Sequence, residues 1–137
     1  MRAATRADLP RVREIRESVA ENSWIELSLI DDTEEVEWYL DHATFLVAEN
    51  EYGVQGFVCA DPQTGYVAAL FVIDAARGRG FGKALLEAAL ERLRAAGNRQ
   101  SFLVTGAGTR AEGFYTSRDW QAMGADFTGQ KVFRRAL

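Results

Sequence analysis

Leu9, Val12, Ile15 and Val19 recur at helical spacing, which predicts an amphipathic helix capped by Asp8 or Thr5, with Pro10 tolerated in its first turn. Glu21 to Ile30 breaks that period, contains Trp24, Leu27 and Leu29, and predicts a loop or short helical segment. A second helix is predicted from Thr33 to Asp41, with Val36, Tyr39 and Leu40 inward and Asp32 or Thr33 as its cap. The pattern then changes to apolar runs with strand composition. Thr44 to Ala48, Val54 to Ala60 and Tyr66 to Ile73 predict three strands, joined through Glu49-Asn50-Glu51-Tyr52-Gly53 and Asp61-Pro62-Gln63-Thr64-Gly65, both with turn chemistry. From Ala84 to Ala96 the helical period returns, burying Leu85, Leu86, Ala89, Leu90 and Leu93, with Gly97 as the residue after the C-cap. A strand from Gln100 to Thr105 and a short helix near Thr109 to Arg118 follow. Two closing strands, about Trp120 to Phe127 and Lys131 to Arg134, turn at Thr128-Gly129-Gln130. With a short first strand at Arg2 to Ala4, this order predicts an α/β (α+β) fold: a mixed sheet with helices on both faces.

The run Arg77-Gly78-Arg79-Gly80-Phe81-Gly82-Lys83 joins the third of those strands to the long helix. The first N–H groups of a helix lack intrahelical acceptors and sit at the positive end of its dipole, so a phosphate there gains charge-assisted hydrogen bonds. Gly78, Gly80 and Gly82 carry no Cβ to hold a diphosphate away, and Arg77, Arg79 and Lys83 add full charges. Spacing separates this loop from other phosphate sites. A P-loop needs a hydroxyl after its lysine, but Ala84 follows Lys83, and Arg77 stands where the first glycine belongs. A second glycine-rich run, Gly106-Ala107-Gly108-Thr109-Arg110-Ala111, matches the dinucleotide pattern, with Asp126 downstream. Too few residues follow it for the further βαβ units of a doubly wound sheet.

Composition changes the picture in three places. At 137 residues with 47% hydrophobic and 26% charged content, the chain is expected to form one domain over residues 1–137. Cys59 is the sole cysteine; it fits a buried core thiol and a cytoplasmic protein. The longest apolar run, Tyr66 to Ile73, is far too short for a membrane span. Between Glu17 and Ala76 there are 13 acidic residues and no Lys or Arg, whereas from Arg77 onward bases outnumber acids. That division disfavours nucleic acid and favours a cationic substrate, although solvated helix faces would look the same. His42 is the only histidine, and no ligand-spaced cluster supports a metal site.

Arg77-x-x-Gly80-x-Gly82, after a strand and opening a helix, resembles the acyl-CoA-binding signature of the GCN5-related N-acetyltransferase (GNAT) family. Ala111-Glu112-Gly113-Phe114-Tyr115, shortly before Trp120, is similar to that family's late helix ending in an aromatic-tyrosine pair. The resemblance implies a mostly antiparallel central sheet of six or seven strands. It also implies direct acetyl transfer from acetyl-CoA to a primary amine of a small molecule or peptide, with homodimers common in such folds. Leu70, Phe71 and Val72 would supply main-chain groups to the acyl carbonyl and the pantetheine arm, an oxyanion-hole arrangement. Residues 77–83 would hold the diphosphate, and Tyr115 would protonate the departing thiolate, a phenol having an ordinary pKa of about 10. Glu26 and Glu21, flanking Trp24, are the candidate general bases, or else surface or substrate-orienting carboxylates. Gly108 stands where many relatives have an asparagine. Two rivals remain at this level: a non-catalytic acyl-CoA-binding or interaction module, and a nicotinamide-binding protein built on Gly106 to Ala111.

Overall fold

The computed structural model describes residues 1–18, 33–106 and 108–137. Strand β1 (Arg2–Ala3) leads through a 3-10 turn (Arg6–Asp8) into α1 (Leu9–Ser18). After α2 (Thr33–His42) come β2 (Thr44–Asn50), β3 (Gly53–Asp61) and β4 (Tyr66–Val72). A 3-10 turn (Asp74–Ala76) precedes α3 (Phe81–Ala95), followed by β5 (Gln100–Thr105), α4 (Arg110–Thr116), β6 (Gln121–Ala125) and β7 (Lys131–Ala136). The strands form one seven-stranded sheet in the order β1-β2-β3-β4-β5-β7-β6, antiparallel except between β4 and β5. The predicted mixed, mostly antiparallel sheet is therefore observed at its larger strand count.

Each face of the sheet has its own core. On one, Val12 and Ile15 of α1 and Tyr39 of α2 pack with Phe45, Val47, Phe57, Cys59 and Phe71. On the other, Leu85, Leu86, Ala89, Leu90 and Leu93 of α3 pack with Leu46, Val58, Val67, Leu103, Tyr115 and Phe133. Burying each of these α3 leucines contributes about 1.5–3 kcal/mol. A sheet covered on both faces needs apolar side chains at nearly every position, so β3 is buried from Val54 to Ala60 with no polar face. Helix α3 ends as predicted: the N–H groups of Gly97 and Asn98 donate to the carbonyls of Arg94 and Leu93, a Schellman closure. Its start differs. The helix begins at Phe81 rather than Ala84, because the glycine loop itself supplies the first turn, which carries no apolar period.

The N-terminal cap uses both expected residues: Thr5 is the N-cap of the 3-10 turn that leads into α1, and Asp8 completes a capping box with it. Asp8 closes the 3-10 turn, accepting from the Thr5 N–H at 2.8 Å, and its carboxylate takes both arms of the Arg2 guanidinium at 2.8 and 2.9 Å. These bonds, Arg2 first, hold the Asp8 carboxyl down at about 2 despite opposing desolvation. A depressed folded pKa gives stability that is complete above the ordinary carboxylate pKa, here 3.8, and is lost as pH falls through about 2. Asp8→Asn should therefore cost about 1–2 kcal/mol at neutral pH and only a few tenths of a kcal/mol, roughly, near pH 2, the neutral-pH figure being reduced because the Arg2 side chain is partly exposed. Urea midpoints of both proteins at pH 7, 4 and 2 check this.

The feature that builds the site lies between β4 and β5. The β3–β4 turn is pinned to β5: Phe102 N–H and Ser101 Oγ both donate to the Gly65 carbonyl, at 3.2 and 2.7 Å. Gly65 has φ +82°, and a Cβ there would lie 2.5 Å from the Gln100 carbonyl oxygen, so only glycine permits this approach. Beyond the pin, β4 and β5 share one bridge, Tyr66 opposite Phe102. A register shift opposite Cys59 and Ala60 leaves Ala68 as an extra residue in β4. Such a bulge bends and twists its strand. The two parallel strands accordingly splay apart toward their C-terminal ends.

Candidate active site

Hydrogen-bond parity determines what β4 offers to the splay. Ile73 N–H donates to the Gln55 carbonyl at 3.0 Å, and the register pairs Phe71 with Phe57 two residues earlier. In an antiparallel ladder such positions alternate, so the main-chain groups of Phe71 face β3 while those of Leu70 and Val72 face away from it, toward β5. Leu70 and Val72 thus carry the main-chain groups turned into the gap. Phe71 borders the same cavity, but its ring packs on the opposite face, 5.4 Å from Phe57.

At the end of β4 the chain turns through Asp74–Ala76 into the glycine loop. Gly80 is the N-cap of α3 with φ +85° and brings no capping side chain. A serine or aspartate at a normal N-cap would stabilise the helix by about 1 kcal/mol. Glycine instead leaves the terminal amides exposed to a ligand. The first helical bond runs from Ala84 N–H to the Gly80 carbonyl at 3.0 Å, so the N–H groups of Phe81, Gly82 and Lys83 have no intrahelical acceptor. A Cβ on Gly82 would meet Phe114 at 3.6 Å and Val72 at 3.8 Å. That is ordinary contact, and it puts Phe114 of α4 directly against the first turn of α3.

These elements enclose a cavity of about 470 Å³. One wall is Leu70, Phe71 and Val72, the second is Ala76, Arg77, Gly78 and the residues from Gly80 to Lys83, and the third is Arg110, Ala111, Phe114, Tyr115 and Arg118. Of the sequence-selected loop residues, Arg77, Gly78, Gly80, Phe81, Gly82 and Lys83 line it, whereas Arg79 is exposed and lies outside the lining. Arg77 is paired with Asp74 three residues earlier at 2.5 Å. Tyr115 is 5% exposed, its ring edge-on to Phe114 at 5.2 Å and to Trp120 at 5.5 Å. Glu21 and Glu26 lie outside the described residues. His42 is exposed beside Trp38 at 5.8 Å, and Cys59 is buried.

Arg110 and Arg118 were missed by sequence reasoning. Their signal was the spacing of four through Arg110, Phe114 and Arg118, which sets one helical face toward one partner. The second glycine run has an assignment of its own. Gly108 N–H donates to the Glu112 carboxylate at 2.6 Å and Thr109 caps α4. The following strands are an antiparallel hairpin rather than a βαβ unit, which overturns the nicotinamide alternative. Among the described residues, no helix is long and apolar enough to cross a membrane.

An open mixed sheet, splayed at its single parallel step beside a glycine-opened helix, is the architecture of acyl-CoA N-acyltransferases. The sequence matches the model of the GNAT acetyltransferase family over residues 9–120, and the chain belongs to that family. Among solved structures it is similar to a GNAT-family acetyltransferase from Staphylococcus aureus Mu50, with 19% identity, TM-score 0.83 and coverage of 98% of this chain and 96% of that one. It also resembles the PaiA N-acetyltransferase of Thermoplasma acidophilum in complex with coenzyme A, at 15% identity and TM-score 0.77, covering 99% and 97%. A phosphinothricin acetyltransferase of Sinorhizobium meliloti in complex with acetyl-CoA is 26% identical with TM-score 0.76, covering 99% and 86%. No curated protein matches the sequence.

Proposed function

We propose that the protein transfers the acetyl group of acetyl-CoA directly to a primary amine of a small molecule or peptide. The observation that carries this is the continuity of one cavity from the open edge of β4 to the uncapped N-terminus of α3. A thioester laid along it has its diphosphate at the amides of Phe81, Gly82 and Lys83, and its acyl carbonyl beside the main-chain groups of Leu70 and Val72. Donors fixed before reaction stabilise charge on that oxygen without reorganising. The amine nitrogen forms the C–N bond and the C–S bond breaks. The Tyr115 hydroxyl gives its proton to the departing sulfur, and Glu21 or Glu26 takes the proton that the amine must lose. Tyr115 suits this role because its ring is held on two sides while it still borders the cavity.

The direct test follows thiol release from acetyl-CoA across polyamines, amino acids, aminoglycosides and N-terminal peptides. Acetylation of one amine class is the expected result. Coenzyme A binding without turnover on any amine would instead favour an acyl-CoA-binding module. Glu21→Gln and Glu26→Gln, compared by the pH dependence of kcat/KM, identify the base as the variant that loses the acidic limb.

A further inference from the structure

Arg118 stands apart from the arginines that are committed to ion pairs. Arg2, Arg6, Arg11, Arg77, Arg94 and Arg135 each lie within ion-pair distance of a carboxylate. Arg118 has no such partner among the described residues, although it is only half exposed and lines the cavity. Its guanidinium carbon sits 3.9 Å from the centroid of the Phe114 ring, a cation–π stack. Its Nη1 donates to the Phe114 carbonyl at 3.2 Å and to Ser117 Oγ at 3.0 Å. Those two bonds use both Nη1 hydrogens and fix the plane of the group. The Nε and Nη2 hydrogens remain, and together they form the side-on fork that a phosphate takes in two parallel hydrogen bonds.

A charge held this rigidly beside a cavity, without a counter-ion among the described residues, is arranged for an anionic ligand group. Phe114 separates it from the diphosphate cradle: the ring edge meets the Gly82 position, while the ring face carries Arg118. The arginine is therefore offset by an aromatic ring from the amides of α3. We propose that Arg118 binds a third phosphate, the 3′-phosphate of the adenosine end of coenzyme A, and so makes the protein discriminate coenzyme A from its dephosphorylated form. This rests on the acetyl-CoA reading above and assigns a specificity residue outside the glycine signature.

Calorimetry with coenzyme A and with 3′-dephospho-coenzyme A tests it in wild type, Arg118→Gln and Arg118→Lys. Wild type should prefer coenzyme A by about ten-fold or more, as expected for a charge-assisted bidentate contact. Arg118→Gln should bind the two within about two-fold of one another, with affinity for the dephosphorylated form unchanged, and Arg118→Lys should fall between. Equal weakening toward both ligands, or an undiminished preference, would overturn the proposal. Failure of the wild type to bind either ligand would instead overturn the acetyl-CoA reading. Since Arg118 also packs on Phe114, matched thermal midpoints establish that the variants are folded, and Arg118→Gln retains an amide able to reach the Phe114 carbonyl.

Discussion

Tyr115→Phe is expected to lower kcat for acetyl transfer by about 10²-fold or more, while leaving affinity for coenzyme A within about two-fold. The phenyl ring would keep the edge-on contacts to Phe114 and Trp120 and the contact to Phe133 at 6.1 Å, so the wall of the cavity and the neighbouring core stay in place. Only the hydroxyl is removed. A thiolate leaving without a proton donor is a poor leaving group, and the loss should therefore appear in kcat rather than in binding. The alkaline limb of the wild-type pH–rate profile, which reports ionisation of the acid, should disappear with it. Stopped-flow thiol release combined with calorimetry separates the two quantities, and a variant that turns over at half the wild-type rate would remove Tyr115 from the chemistry.

Gly80→Asp is expected to abolish coenzyme A binding, raising Kd by about 10²-fold or more, with a fold that survives. A Cβ at position 80 meets no atom within 4 Å, and aspartate tolerates positive φ better than most residues, so the conformational cost is about 1 kcal/mol. The effect is electrostatic. A carboxylate at the mouth of α3 competes for the amides of Gly82 and Lys83 and repels the diphosphate from the same positions. Because a ligand that binds only the folded state raises its thermal midpoint, wild type should shift with coenzyme A and Gly80→Asp should not. Gly80→Ala, carrying similar strain without the charge, should keep most of the shift. An unaltered Kd in Gly80→Asp would place the diphosphate elsewhere.

Legibility from sequence followed how local each cause was. The apolar period of α3 named all five of its buried residues, and Gly97 marked its end, because helix amphipathicity and capping depend on neighbours within a few positions. The glycine loop was legible for the same reason: Gly80 leaves a helix end uncapped whatever surrounds it. The strands were recognisable from β-rich apolar runs, yet alternation could not assign their faces, since β3 is buried on both. Arg79 was grouped with Arg77 as a source of charge, although only Arg77 occupies a fixed position of the motif, and the loop conformation leaves Arg77 lining the cavity and Arg79 outside it. Phe71 was grouped with Leu70 and Val72 until the ladder showed which main-chain groups were already engaged.

By itself, then, the chain's order of residues determined the elements, the family and a helix start without a capping side chain, all of which are written in a few consecutive positions. The tertiary structure alone decided that β4 and β5 part beyond a single bridge, that Leu70 and Val72 face the gap, and that Arg118 rests on Phe114 beside it. Those outcomes depend on register, on a bulge at Ala68 and on a glycine at 65 approached by a strand more than thirty positions downstream. Pairing across such a separation is set by the packing of the whole sheet, which no local pattern encodes.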